Sequence, residues 1–262
     1  MMAILLLTSA SGAPGVTTTA LGLALCWPRD VLLVDADPHP SHAVESGYLV
    51  AGTDAGAGLA DLAGAHRAGT DLTAALWRQV IALPGIDGRP SPTARYLSGF
   101  GHPAQPALFT MIWPAIAASL AELGDAGVDV IVDLGRAGPE GPPAELCARA
   151  GAVGVVTRCG LRPLAGLAVN AEILETVASR TTATVGLVTV GAGRPYSARE
   201  ISAQFRMPVL AEMVEDPRAA AVLSDGAPGP RGWASGRYAA GLRHGASRLA
   251  GLLAEAAKEV AL

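Results

Sequence analysis

Dense apolar runs of five or six residues alternate along the chain with longer stretches whose apolar positions recur at helical spacing. The runs Ile4–Thr8, Val31–Asp35, Val128–Asp133, Ala152–Thr157 and Val185–Val190 are built of Val, Leu and Ile with little polar alternation. That is the pattern of strands covered on both faces, because a half-exposed strand shows a polar residue at every second position. Between them the spacing predicts helices over Thr17–Cys26, which Pro28 stops, and over Ala107–Leu123, Leu164–Ala178, Ala198–Phe205, Pro217–Leu223 and Tyr238–Val260. Strands separated by helices read as βαβ units, so the predicted fold class is α/β, a mostly parallel sheet flanked by helices on both faces in three layers. A Gly/Pro-rich stretch, 84–106, interrupts the alternation but carries a short run, Arg95–Leu97, that reads as a further strand. It is taken as an elaborated connection inside one domain spanning 1–262.

Half of the residues are hydrophobic and 16% are charged, enough apolar material for a full core and too little charge for a disordered chain. A net charge of -4 offers no global attraction to nucleic acid or to anionic lipid, so such contact would need a local patch. One run of basic residues, Arg218 to Arg248, is a candidate for DNA or membrane contact, with a solvated surface as the simpler reading. Cys26, Cys147 and Cys159 are odd in number and lack metal-ligand spacing, which argues against a disulfide framework or a zinc site and for a reducing, cytoplasmic setting. The apolar opening, Ala3 to Leu7, is too short to span a bilayer and reads as a strand. The aromatic residues Trp77, Tyr96, Phe100, Phe109 and Trp113 are expected in the core, near a region from Leu59 to Trp77 that offers room for partner-specific variation.

The first strand runs into Thr8-Ser9-Ala10-Ser11-Gly12-Ala13-Pro14-Gly15-Val16-Thr17-Thr18, and a helix follows at once. Strand, glycine-containing turn and helix N-terminus place backbone N–H groups and the positive end of a helix dipole against an anion. A working phosphate loop of this type reads G-x-x-x-x-G-K-[ST], its lysine reaching the β- and γ-phosphates. Val16 stands at the lysine position, and the only lysine in the chain, Lys258, is far away in sequence. Pro14 also removes one N–H donor from the turn.

Thr8, Ser9, Gly12, Gly15, Thr17 and Thr18 match in register the loop of the ParA/MinD family of deviant Walker ATPases, T-S-G-K-G-G-V-G-K-T-T. The resemblance continues in Val31-Leu32-Leu33-Val34-Asp35-Ala36-Asp37-Pro38, similar to the switch segment L-L-x-D-x-D-P, and in Val128 to Gly135, similar to the Walker B strand. Arg206-Met207-Pro208-Val209-Leu210 followed by Asp216-Pro217 resembles the late strand and loop near the base, so the likeness runs from Ile4 to about Leu223. It implies a P-loop NTPase-like fold, nucleotide contacts from Gly12, Gly15, Val16, Thr17 and Thr18, a magnesium site at Thr17, Asp35 and Asp133, and Asp37 beside the attacking water. The family's signature lysine, which crosses to the partner's nucleotide, falls on Ser11, and its Walker lysine falls on Val16.

With both lysines gone, the resemblance implies a homodimeric positioning or assembly factor that binds ATP and magnesium weakly or not at all. The degenerate CpaE/TadZ branch, which localises Tad-type pilus or secretion machinery through protein partners, is the nearest in character, with recruitment to the inner face of the membrane by a partner. The alternative is an active nucleotide-switched ATPase for DNA partition or septum placement, with Arg136 or Arg158 replacing the lysine. A metabolic enzyme built on the same loop is a third reading, which no paired cysteines or substrate motif support.

Overall fold

The structure is a computed structural model that describes residues 3–12, 15–49, 58–85 and 90–260. Its centre is one eight-stranded sheet. In chain order the strands are β1 (Ile4–Ser9), β2 (Val31–Asp35), β3 (Ile81–Pro84), β4 (Pro90–Leu97), β5 (Asp129–Arg136), β6 (Ala152–Arg158), β7 (Thr184–Val190) and β8 (Val209–Met213). Across the sheet the order is β3-β4-β2-β5-β1-β6-β7-β8. Every neighbouring pair is parallel except β3 with β4. The five dense apolar runs are five of the six inner strands, the sixth, β4, contains the Arg95–Leu97 run, and all eight lie in the α/β arrangement the apolar runs foretold.

Helices α1 (Val16–Leu25), α2 (Leu59–Arg67), α3 (Leu72–Gln79), α4 (Trp113–Asp125), α5 (Ala144–Arg149), α6 (Leu161–Val169), α7 (Ala171–Ser179), α8 (Ala198–Phe205), α9 (Pro217–Ser224) and α10 (Arg237–Val260) cover both faces. One face packs α1, α9 and α10 in a core that includes Leu21, Leu33, Ile131, Leu223, Leu242 and Leu249. The other packs α2 to α5 with Leu6, Val34, Leu62, Leu76, Ile116 and Leu146. Tyr96, Phe100, Phe109 and Trp113 are buried as expected, whereas Trp77 stays 39% exposed with the Arg95 guanidinium 5.6 Å from its ring. A third, smaller cluster of Val155, Leu167, Leu187 and Ile201 lies beneath α6 and α8.

Three boundaries depart from the sequence reading. The helix expected over Ala107–Leu123 is a 3-10 turn, Pro106–Phe109, followed by α4. Pro114 has no N–H to continue a helix from upstream and sits instead in the first turn of α4, where none is needed. The helix expected over Leu164–Ala178 is divided into α6 and α7 at Asn170, whose side-chain amide donates to the Gly166 carbonyl at 2.7 Å and competes with the helical ladder. The Gly/Pro-rich stretch 84–106 holds the whole of β4, longer than the Arg95–Leu97 run expected there, and β4 pairs in parallel with β2 and in antiparallel fashion with β3, so the connection widens the sheet.

Candidate functional site

The C-terminal ends of β1, β2 and β5 meet at the centre of the sheet. Leu7 and Asp35 both stand opposite Asp133 in the strand register. Gly15 takes φ 96°, a left-handed conformation that lets the chain turn directly into α1, and no side chain caps the first turn of that helix. The loop before it has Gly12 exposed, with Ala13 and Pro14 outside the described residues. Thr17 and Thr18 are half-buried in the first turn of α1.

The two lysine positions are occupied in ways that settle where their side chains go. Val16 is 5% exposed and belongs to the same core as Leu5, Leu7 and Leu21, so its isopropyl group packs into the protein. Ser11 turns onto its own α6: its hydroxyl donates to the Pro163 carbonyl at 3.5 Å, and a Cβ on Gly166 would come within 2.6 Å of the Ser11 Oγ.

The expected carboxylates do come together. Asp133 is 1% exposed; its Oδ1 accepts the Gly135 N–H at 2.9 Å, and its Oδ2 has no hydrogen-bond partner among the described residues. Burial pushes its carboxyl up to about 6, opposed by the Thr17 hydroxyl and the Gly135 N–H and reinforced by the Asp37 charge. Asp35 is raised well above the carboxylate range by burial, then by Asp133, with Glu45 and Asp37 adding to it and the Asp37 N–H opposing. Asp37 lies against Gly135, whose φ of 54° and missing side chain make room for it: a Cβ there would sit 2.1 Å from the Asp37 carboxyl carbon. Asp37 Oδ1 accepts the His39 backbone N–H at 2.8 Å.

Three participants carry no motif. Glu45, in a short π-helical turn over Val44–Tyr48, accepts the Tyr96 hydroxyl at 2.8 Å and the Ser98 hydroxyl at 2.5 Å. Its Oε2 is buried without a partner among the described residues. Tyr96 itself is pushed far up by burial and by the Asp35 and Glu45 charges. Only Tyr96 lay in a predicted strand; Glu45 and Ser98 sit outside any apolar pattern.

This arrangement gathers negative charge where the fold supplies little to neutralise it. Among the described residues no group of three or more His, Cys, Asp and Glu is disposed to hold a metal ion by itself. Magnesium keeps several waters and needs only one or two hard protein oxygens, and the orphaned Asp133 Oδ2 beside Thr17 is a donor of that kind. The residues thus fit magnesium. A triphosphate would meet the N–H groups of α1 with no lysine beside them.

The two candidate replacement cations diverge. Arg136 lines a cavity of about 440 Å³ on the α4 and α5 face, together with Thr8, Pro38 and Trp113. Arg158 lines a separate cavity of about 230 Å³ with Gly15, Thr18, Asp216 and Tyr238, and there it pairs with Glu215 at 3.8 Å. Lys258 is at the opposite end of the sheet, beside Ala3, Arg29 and Asp129. In the run from Arg218 to Arg248, Arg243 and Arg248 on α10 donate to the carbonyls of Ala234 and Val209, and Arg237 lines a cavity with Glu212 and Glu215. No helix among the described residues is long and apolar enough to cross a membrane.

No protein-family profile matches the sequence, and no curated protein sequence matches it. Solved structures do. A ParA family ATPase from Chlorobium tepidum TLS aligns with a TM-score of 0.69 at 17% identity, covering 94% of this chain and 99% of its own. The MinC:MinD cell division protein complex of Aquifex aeolicus aligns at 0.64 and 15% identity, covering 95% of each chain. The septum site-determining protein MinD of Pyrococcus horikoshii OT3, complexed with Mg-ADP, aligns at 0.60 and 19%, covering 96% of this chain and 94% of its own. The chain has the ParA/MinD-like fold over nearly its whole length.

Proposed function

We propose that this chain is a degenerate ParA/MinD-like positioning or assembly factor, closest in character to the CpaE/TadZ branch that serves Tad-type pilus or secretion machinery, with ATP hydrolysis weak or absent. The observation that carries the reading is the burial of Val16 in the core at the position of the Walker lysine. A preorganised cation on the transferring phosphoryl group contributes several orders of magnitude in rate, and an isopropyl group turned inward replaces none of it. Ser11 supports the same reading, because its side chain is spent on α6 of its own chain. Thr17 and Asp133 would hold magnesium, the α1 N–H groups would face phosphate, and Asp37 would lie beside the reacting water. Gly135 and His39 hold Asp37 in place. The protein then acts through partner binding and dimerisation as a constitutive scaffold.

The test is thermal stability with and without millimolar magnesium-ATP, alongside a turnover assay. A ligand at about a hundred times its dissociation constant stabilises by about 2.7 kcal/mol. The expected result is no such rise and turnover at background. A clear rise in melting temperature, with turnover abolished by Asp37→Ala, overturns the scaffold reading.

One observation favours the second reading, an active switch for partition or septum placement: Arg158 shares a cavity with Gly15 and Thr18. Glu215 already pairs with it, so the cation is neutralised where it would be needed. If nucleotide binds, Arg158→Ala should abolish that binding and Arg136→Ala should leave it intact.

A further inference from the structure

The cavity of about 440 Å³ that Arg136 lines has walls that the chain itself holds in place. One wall is aromatic: Phe100 and Trp113 are buried and meet edge to face with ring centroids 6.4 Å apart, and Phe109 completes the cluster at 4.8 Å from Phe100. Another wall is the connection from β5 to α5. Arg180, just after α7, clamps it by donating to the Glu140 and Pro142 carbonyls at 2.6 and 2.7 Å, and the Gly141 N–H donates to the Gly138 carbonyl at 2.9 Å. A hollow whose walls are fixed before anything enters gives up little order on binding, and this one has the size of a small-molecule site.

The charges on the lining narrow the class of ligand. Arg180 spends its guanidinium on the two carbonyls, whereas the side chains of Arg136, Glu140 and Glu145 line the same cavity with no hydrogen bond or ion pair among the described residues. Two cations and two carboxylates cancel, so the cavity as a whole draws neither a plain anion nor a plain cation. A ligand with both signs pairs with both, through a charge-assisted hydrogen bond at each end. Much of the remaining lining, Pro38, Phe100, Trp113 and Leu134 among it, is apolar and suits an apolar body. Of the two carboxylates Glu145 is half-buried and Glu140 is exposed, which makes Glu145 the less hydrated partner for an ammonium group.

We propose that this cavity binds a small zwitterion with an apolar body, a free apolar or aromatic α-amino acid or a dipeptide of such residues, with Arg136 on its carboxylate and Glu145 on its ammonium group. Ala36 and Pro38, the neighbours of Asp37, also line the cavity, so an occupant touches the segment that carries Asp37. The inference needs neither nucleotide nor the scaffold reading.

The experiment is isothermal titration calorimetry of the full chain with L-phenylalanine and with the dipeptide leucyl-phenylalanine, beside N-acetyl-phenylalanine, which lacks the ammonium group, and phenylalanine amide, which lacks the carboxylate. Phenylalanine or the dipeptide should bind, the tighter of the two identifying the source, and each blocked phenylalanine should bind about tenfold or more weaker than phenylalanine. Arg136→Ala should weaken phenylalanine by about tenfold and leave the amide unchanged, and Glu145→Gln should do the same to phenylalanine while leaving the N-acetyl form unchanged. Thr110→Trp, at an exposed position on the lining, should block every probe, with circular dichroism melts showing that the variants stay folded. The proposal is overturned if neither zwitterion binds at millimolar concentration, if a blocked form binds as tightly as phenylalanine, or if Arg136→Ala leaves the affinity where it was. No arm contains nucleotide, so either result leaves the scaffold reading standing.

Discussion

The buried carboxyl of Asp133 makes a prediction about stability whose sign is opposite to that of an ordinary paired aspartate. Its folded value of about 6 lies above the unpaired value of 3.8. The folded chain therefore holds this proton more tightly than the unfolded chain does. Its contribution is fully present below about 3.8 and is lost as pH rises through about 6. At 1.36 kcal/mol for each pH decade, ionising this group costs the fold about 3 kcal/mol at neutral pH. Asp35, raised in the same direction, adds to the trend. Asp133→Asn keeps the volume and the acceptor for the Gly135 N–H while removing the charge. It should stabilise the protein by about 2–3 kcal/mol at pH 7.5, raising the melting temperature by about 5–10 °C. At pH 5 the difference should fall to about half of that, about 1.6 kcal/mol, and it should nearly vanish only below about pH 3.8. Urea denaturation of both proteins at the two pH values, in buffer without divalent cations, measures this directly. If Asp133→Asn is less stable than the parent at pH 7.5, or if the parent gains stability between pH 5 and 7.5, the carboxyl is not paying for its burial and the reasoning fails.

Gly135→Ala should cost about 2–4 kcal/mol in urea denaturation, because the new Cβ would overlap the Asp37 carboxylate and the backbone there is left-handed. Val16→Lys should lose about 3–5 kcal/mol, since the core that holds Val16 offers no partner to an ammonium group, and it should not confer ATP turnover in a phosphate-release assay. An active, undiminished Val16→Lys protein would mean that the side chain escapes to the phosphate side at little cost.

The sheet was legible because its inner strands are buried on both faces and the sequence has to spell them almost continuously in Val, Leu and Ile. The edge strand β3 was not, because Ile81–Pro84 is four residues long, contains a proline and is only partly covered. Helix ends failed where one side chain outweighs the average pattern, at Pro114 and at Asn170. At the site, the phosphate-loop turn, Asp35, Asp37 and Asp133 could be found because strand ends at the middle of a parallel sheet converge by topology. Glu45 and Ser98 could not, because what brings them to Asp35 is tertiary: a π-helical turn folded over the end of β4 and the Tyr96 hydroxyl between the carboxylates.

The arrangement of the loop gives the loss of the lysines a structural consequence beyond the loss of charge. A lysine at position 16 has to leave the core to reach a phosphate, so the first turn of α1 in a charged loop is tied to the ligand. Here Val16 ties the same turn to Leu5, Leu7 and Leu21. A lysine at position 11 has to extend away from its own chain, and here Ser11 is drawn back onto α6. Both ends of the loop are thus fastened to this chain's own interior, by burial at one end and by helix contact at the other. A conformational switch needs two states that a ligand distinguishes by its differential affinity, and on the scaffold reading proposed above these contacts would hold one state whether or not a phosphate is present. The Asp133 carboxyl with its unpartnered oxygen is then a cost the fold still carries at neutral pH, which is why neutralising it should stabilise the protein.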